Sequence, residues 1–185
     1  MKNYLLTILS ILICLKLLSQ EKQKLNFNKI TTENVRIEKG LSQNSVFCIH
    51  QDHIGYMWFG TWDGLNKYDG YDFTIYREET GISNPTIKSI YEDSKGVIWI
   101  GTDGGLNRFN RKNRSFTAYR HHVMKPSGIS SDTILCIFED RDHFLWIGTQ
   151  NGLNKFDRTT ETFIKFKHQP NDKNSLSHNT IFDIL

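Results

Sequence analysis

The sequence predicts an all-β protein: an incomplete β-propeller of four-stranded antiparallel blades, with three blades and the start of a fourth. Three observations carry this. A motif built on Trp58, Trp99 and Trp146 recurs at steps of 41 (58 to 99) and 47 (99 to 146) residues. Each copy divides into four short strand-like runs separated by turn residues. Aromatic residues make up 12% of the chain while Ala is nearly absent, which suits a pleated, half-buried surface better than helices. A four-stranded repeat of this length matches a propeller blade, whose sheets stack radially around a channel.

Taken in order, residues 1–20 read as a signal peptide or N-terminal anchor. Lys2 supplies a positive start, and the mostly apolar stretch Tyr4–Leu15 is short for a membrane span and suited to an export signal. Cys14 raises a lipoprotein reading, but Ile13 stands where a small residue is expected. Residues 21–39 form a lead-in, within which Asn26–Arg36 is a candidate for a ring-closing outer strand. Residues 40–81, 82–128 and 129–175 are expected to be blades 1, 2 and 3, and residues 176–185 the first strand of a fourth, where the sequence breaks off.

Within blade 1 the runs are Ser45–Gln51, Tyr56–Thr61, Leu65–Tyr68 and Phe73–Arg77. Blade 2 repeats them at Thr86–Glu92, Val97–Thr102, Leu106–Phe109 and Phe116–Arg120, and blade 3 at Thr133–Glu139, Phe144–Thr149, Leu153–Phe156 and Phe163–Lys167. The first run of each copy is apolar on both faces, as an inner strand covered by two neighbouring blades should be. The last runs alternate, Phe73 and Ile75 against Asp72, Thr74 and Tyr76, and Phe163, Ile164 and Phe166 against Thr162, Lys165 and Lys167, as outer strands facing water should. Trp58, Trp99 and Trp146 are expected to pack between blades, with Gly60, Gly101 and Gly148 allowing close approach of the next sheet. Gly64, Gly105 and Gly152 close the turn after the second run. His143 stands where the turns at Asp52 and Asp93 carry Gly55 and Gly96, so a strained or altered hairpin is expected there.

Several function classes drop out. The formal charge is +3, of which Lys2 and Lys16 in the leader account for two, so no basic stripe marks a nucleic-acid partner. Outside the leader only Cys48 and Cys136 remain, in one column of non-adjacent repeats and too far apart to bridge. There is no glycine-rich phosphate loop, no Cys-x-x-Cys pair and no nucleophile elbow. His50 and His53 flank Gln51 and Asp52, but a turn with a capping Asp explains them better than a metal site. Asp52, Asp93 and Asp140 recur at one turn position, which argues for structure rather than catalysis. No catalytic residue, metal or cofactor is expected.

The recurring pattern Asp-x-x-Gly-x-x-Trp-x-Gly-Thr-x-x-Gly-Leu-Asn-x-aromatic-Asp resembles the repeat of the two-component regulator propeller family. Asp52–Asp69 meets it, Asp140–Asp157 departs at His143, and Asn110 replaces the closing Asp of the second copy. The resemblance runs from about Phe27 to Leu185. It implies the periplasmic sensor of a hybrid two-component system, of the kind that controls polysaccharide use. Such relatives usually carry two propellers, a small β-sandwich, one membrane span and a cytoplasmic histidine kinase. From it follow three expectations: export to the periplasmic side of the inner membrane, membrane attachment only through the leader or downstream parts, and a dimeric full-length form.

An antiparallel meander puts the second-to-third-strand turns and the inter-blade loops at one end of the ring. The turn residues vary between copies within a constant frame: Trp62-Asp63, Asp103-Gly104, Gln150-Asn151. Trp62, Asp63, Asp103, Gln150 and Asn151 are therefore the candidate ligand-binding residues, with an oligosaccharide as the expected partner, since aromatic rings stack on sugars and polar groups read hydroxyls. Two other readings compete: an exported propeller lyase or glycoside hydrolase, and a purely structural scaffold. An enzyme should bring unrepeated acids to the channel mouth, and Glu78-Glu79 is nearly all this chain offers. The fold alone does not decide among them.

Overall fold

The computed structural model describes residues 40–185. The expected leader (1–20), lead-in (21–39) and ring-closing segment Asn26–Arg36 lie outside the described residues. The rest is three four-stranded antiparallel meanders. The first holds β1 (Val46–Gln51), β2 (Met57–Thr61), β3 (Gly64–Tyr68) and β4 (Phe73–Tyr76). The second holds β5 (Ile87–Glu92), β6 (Ile98–Thr102), β7 (Gly105–Asn110) and β8 (Ser115–Tyr119). The third holds β9 (Ile134–Glu139), β10 (Leu145–Thr149), β11 (Gly152–Asp157) and β12 (Thr162–Phe166). The first strands neighbour one another, β1 beside β5 and β5 beside β9, so the sheets fan out from that edge as blades do. Among the described residues they do not close a ring.

Turn chemistry sets this register. Asp52 Oδ1 accepts the backbone N–H groups of Ile54, Gly55 and Tyr56 at 2.9–3.1 Å, closing the β1–β2 turn. Asp93 and Asp140 repeat the arrangement. His143 adopts φ 65°, the left-handed region that Gly96 occupies at φ 73°. The hairpin there keeps its shape, and the strain falls on His143 alone.

The Leu-Ser, Gly-Thr and Leu-Asn elements of the motif form one hydrogen-bonded unit per blade. In blade 1 the Ser42 N–H donates to Asn66 Oδ1 (2.8 Å), Asn66 Nδ2 donates to Ser42 Oγ (2.8 Å), and the Ser42 and Thr61 hydroxyls meet at 2.9 Å. Thr61 Oγ1 donates to the Gly64 carbonyl and accepts the Asp63 N–H, holding the two-residue turn. Ser83–Thr102–Asn107 and Ser130–Thr149–Asn154 are the same unit. All of these groups but the half-buried Ser42 are buried, and each is satisfied where burial would otherwise penalise it. Gly64 closes the turn at φ 120°, where a Cβ would also lie 2.7 Å from the Tyr76 carbonyl oxygen.

Two apolar layers hold the blades together. Between blades 1 and 2, Trp58 is fully buried and meets Phe109 edge-on at 5.3 Å. Between blades 2 and 3, Trp99 meets Phe156 in the same way at 5.4 Å. The glycine preceding each buried Thr admits the neighbour: a Cβ at Gly60 would fall 2.6 Å from Ile87, and one at Gly101 2.7 Å from Ile134. Trp146 is only half-buried, packed on Phe166 and Lys155 of its own blade.

Four expectations need correction. The inner strand β1 is not covered on both faces: it alternates, leaving Phe47 and Ile49 exposed, because no blade among the described residues lies against its outward face. Tyr76 sits in the buried layer against Trp58 and Phe109 rather than facing water. Ile164 and Phe166, grouped with the inward apolar residues of the outer strand, are exposed. Residues 176–185 form no strand; the Ile181 N–H reaches the Thr149 carbonyl, but no second strand is present among the described residues to pair with the segment.

Candidate functional site

The second-to-third-strand turns and the inter-blade loops do share one end. The Gly64 N–H donates to the Pro85 carbonyl, Gly105 to Asp132, and Gly152 to Asn179, so each turn is tied to the loop leading to the next blade. At this end every inner strand carries a β-bulge. Val46 pairs with Thr61 but Cys48 with Gly60, leaving Phe47 as the extra residue. The same slip isolates Lys88 between Ile87 and Ser89, and Leu135 between Ile134 and Cys136. A bulge re-aims a side chain that regular pairing would turn into the sheet face.

The bulge and turn positions meet across blades 1 and 2. Trp62 is half exposed, and Phe47 meets its ring edge-on at 4.8 Å. Lys88 Nζ lies 4.9 Å from the Trp62 centroid, 5.4 Å from that of Phe47, and 3.3 Å from Asp103 Oδ2. Two of the candidates named from sequence, Trp62 and Asp103, are thus joined through Lys88. Asp63 is turned away, gripped by Arg77 Nε and Nη2 at 3.2 and 2.9 Å. Gln150 and Asn151 are exposed on the third blade's turn, where Gln150 contacts Thr133 and Thr180 and Asn151 reaches the Ser130 carbonyl. Phe47 reads as core because it stands in the apolar run Val46–Ile49, and Lys88, a charge between Ile87 and Ser89, reads as an ordinary outward strand position. The readable signal was that their column varies, Phe47, Lys88, Leu135, among conserved-type neighbours in all three copies.

The opposite end is built for cohesion. Asp52 Oδ2 accepts the Trp58 indole N–H (2.8 Å) and Arg111 Nη1 from blade 2 (2.8 Å). Arg111 Nη2 also donates to Glu92, whose other oxygen accepts the His53 N–H. Blade 3 repeats the clasp on blade 2 with Arg158, Asp93, Trp99 and Glu139, the last accepting the Ser94 N–H. Burial alone would push Asp52 up, but the Trp58 indole and the Arg111 guanidinium outweigh it and hold its carboxyl below the ordinary range; Asp93 behaves likewise with Trp99 and Arg158. An open cleft of about 700 Å³ here is lined by His50, His53, Tyr91, Glu92 and Glu139. Its two glutamates are engaged in the clasps, and no group of three or more His, Cys, Asp or Glu among the described residues is arranged to hold a metal ion.

Cys48 and Cys136 are free thiols facing Gly60 and Gly148. Burial pushes them up to about 12 and about 11, so they remain un-ionised and unreactive. Among the described residues no helix is long and apolar enough to cross a membrane.

Comparison with known proteins bears on this geometry. The family model described as "Two component regulator propeller" matches residues 40–63, 81–104 and 128–151, one segment per blade. The chain is similar to the extracellular domains of two hybrid two component systems from B. thetaiotaomicron. One is 30% identical over 80% of this chain with a TM-score of 0.71, and the other 27% identical over 76% with a TM-score of 0.63. The chain spans 22% and 21% of those two structures. A 38-residue stretch is 66% identical to histidine kinase P4 of Formosa agariphila, covering 20% of this chain and 3% of that protein. A virginiamycin B lyase from Staphylococcus aureus, 18% identical over 68% of this chain and 42% of its own with a TM-score of 0.51, shares the fold alone.

Proposed function

The chain is built of two-component regulator propeller repeats, and from that premise we propose that it is the ligand-sensing propeller of a signalling receptor, on the periplasmic side of the inner membrane, responding to a glycan. The observation that carries the sensing role is the likeness, at 30% identity over 80% of the chain, to the extracellular part of a hybrid two component system. The glycan is supported by the turn-bearing end, where an exposed Trp62 stands beside a carboxylate and an ammonium. On this reading the chain binds its ligand rather than transforming it, a role supported by the engagement of its repeated acids Asp52, Asp93 and Asp140 with Trp58, Trp99 and Trp146. In a receptor carrying this chain, oligosaccharides that induce the output should do so far less when Trp62 is replaced by Ala. An undiminished response and affinity would remove Trp62 from the site.

A further inference from the structure

Resting on the reading of this end as a glycan face, the geometry points to a subsite for a neutral pyranose formed by Trp62, Lys88 and Asp103. The separations among the Phe47 ring, the Trp62 ring and Lys88 Nζ are 4.8, 4.9 and 5.4 Å, a nearly equilateral triangle. Phe47 and Lys88 therefore approach the indole from neighbouring directions, and half of Trp62 stays exposed. Beside the indole, Lys88 and Asp103 stand 3.3 Å apart with side chains 24% and 34% exposed. An ammonium has three donors and a carboxylate about four acceptor sites, so a single ion pair leaves both with capacity to spare.

A sugar ring stacked on the exposed part of Trp62 presents adjacent hydroxyls at its rim toward Lys88 and Asp103. One accepts from Lys88 Nζ and its neighbour donates to Asp103. Phe47 braces the indole and touches no sugar. The charge class follows from the pair: Asp103 offsets Lys88 and would face a uronate or sulfate at close range. Asp63, the other carboxylate of these turns, is held by Arg77 and takes no part. Blade 3 carries Leu135 and Gln150 in the same two columns, so it repeats neither the platform nor the ion pair.

The test is calorimetric titration of the full chain with neutral oligosaccharides of gluco, manno and galacto configuration and with their uronic and sulfated counterparts. Neutral sugars should bind more tightly than anionic ones. Trp62→Ala should weaken that binding at least tenfold, Asp103→Asn and Lys88→Met at least fivefold, and Trp62→Phe much less. Lys88 and Asp103 are surface groups, so their variants carry the test even where Trp62→Ala folds poorly. Neutral binding unchanged in all the variants, or tighter binding of the anionic sugars, overturns the subsite while leaving the glycan reading intact. No sugar bound by the unaltered chain overturns both.

Discussion

Asp52 and Asp93 show how a few side chains couple the blades. Each carboxylate, fully buried, joins its own turn, its own Trp and an Arg from the next blade. Replacing Arg111 with Met strands a buried charge, and chemical denaturation should show a loss of about 2–3 kcal/mol. The pH dependence follows from the lowered carboxyls. An unfolded Asp titrates near about 3.9; the depressed folded value means the stabilisation is complete above that pH and disappears as pH falls through the folded value. The acid midpoint should therefore move upward in Arg111→Met. Coincident midpoints would show that the ion pair contributes nothing. A second residue-scale expectation concerns Ser89, whose hydroxyl is buried without a partner in the column where the other copies carry Cys48 and Cys136. Ser89→Cys should raise the melting temperature, by about 1 kcal/mol in stability; a lower one would mean that the hydroxyl is satisfied.

At the scale of the element, the turns form by side-chain capture of backbone N–H groups and by left-handed residues at fixed places. His143 shows the frame prevailing over local preference. The Asp140 turn keeps its hydrogen bonds although a β-carbon sits at φ 65°. His143→Gly should stabilise the third blade by roughly 0.5–1 kcal/mol, the left-handed penalty less the extra entropy of a glycine in the unfolded chain. A fall in the melting temperature would show that the 3.1 Å contact of His143 with Ser94 outweighs the strain. The bulges are the other device at this scale. They occupy the same register in β1, β5 and β9 and turn one residue of each inner strand toward the end that carries the second-to-third-strand turns.

For the molecule as a whole, stability lies between the blades. Trp99 is buried by blade 3, so Trp99→Ala should cost about 3–5 kcal/mol. Trp146, covered only by its own blade, should cost less than half as much in the same melting experiment. Equal losses would mean that the indole is held mainly by its Asp rather than by the neighbouring sheet.

The sequence by itself determined the blades. Turn residues, alternation and the Trp motif are local in the chain, so their periodicity is readable from one strand to the next, and even the strain at His143 was legible. It also singled out Trp62 and Asp103 by their variation within a constant turn. Only the tertiary structure decided which residues act together. Arg111 reaches a carboxylate 59 positions away, and Lys88 joins Trp62 across a blade boundary. Asp63 looked as available as Asp103 until Arg77 from the outer end of the same blade closed on it. Such pairings depend on how a bulge aims a side chain and on where the next sheet comes to rest, and neither leaves a period in the sequence.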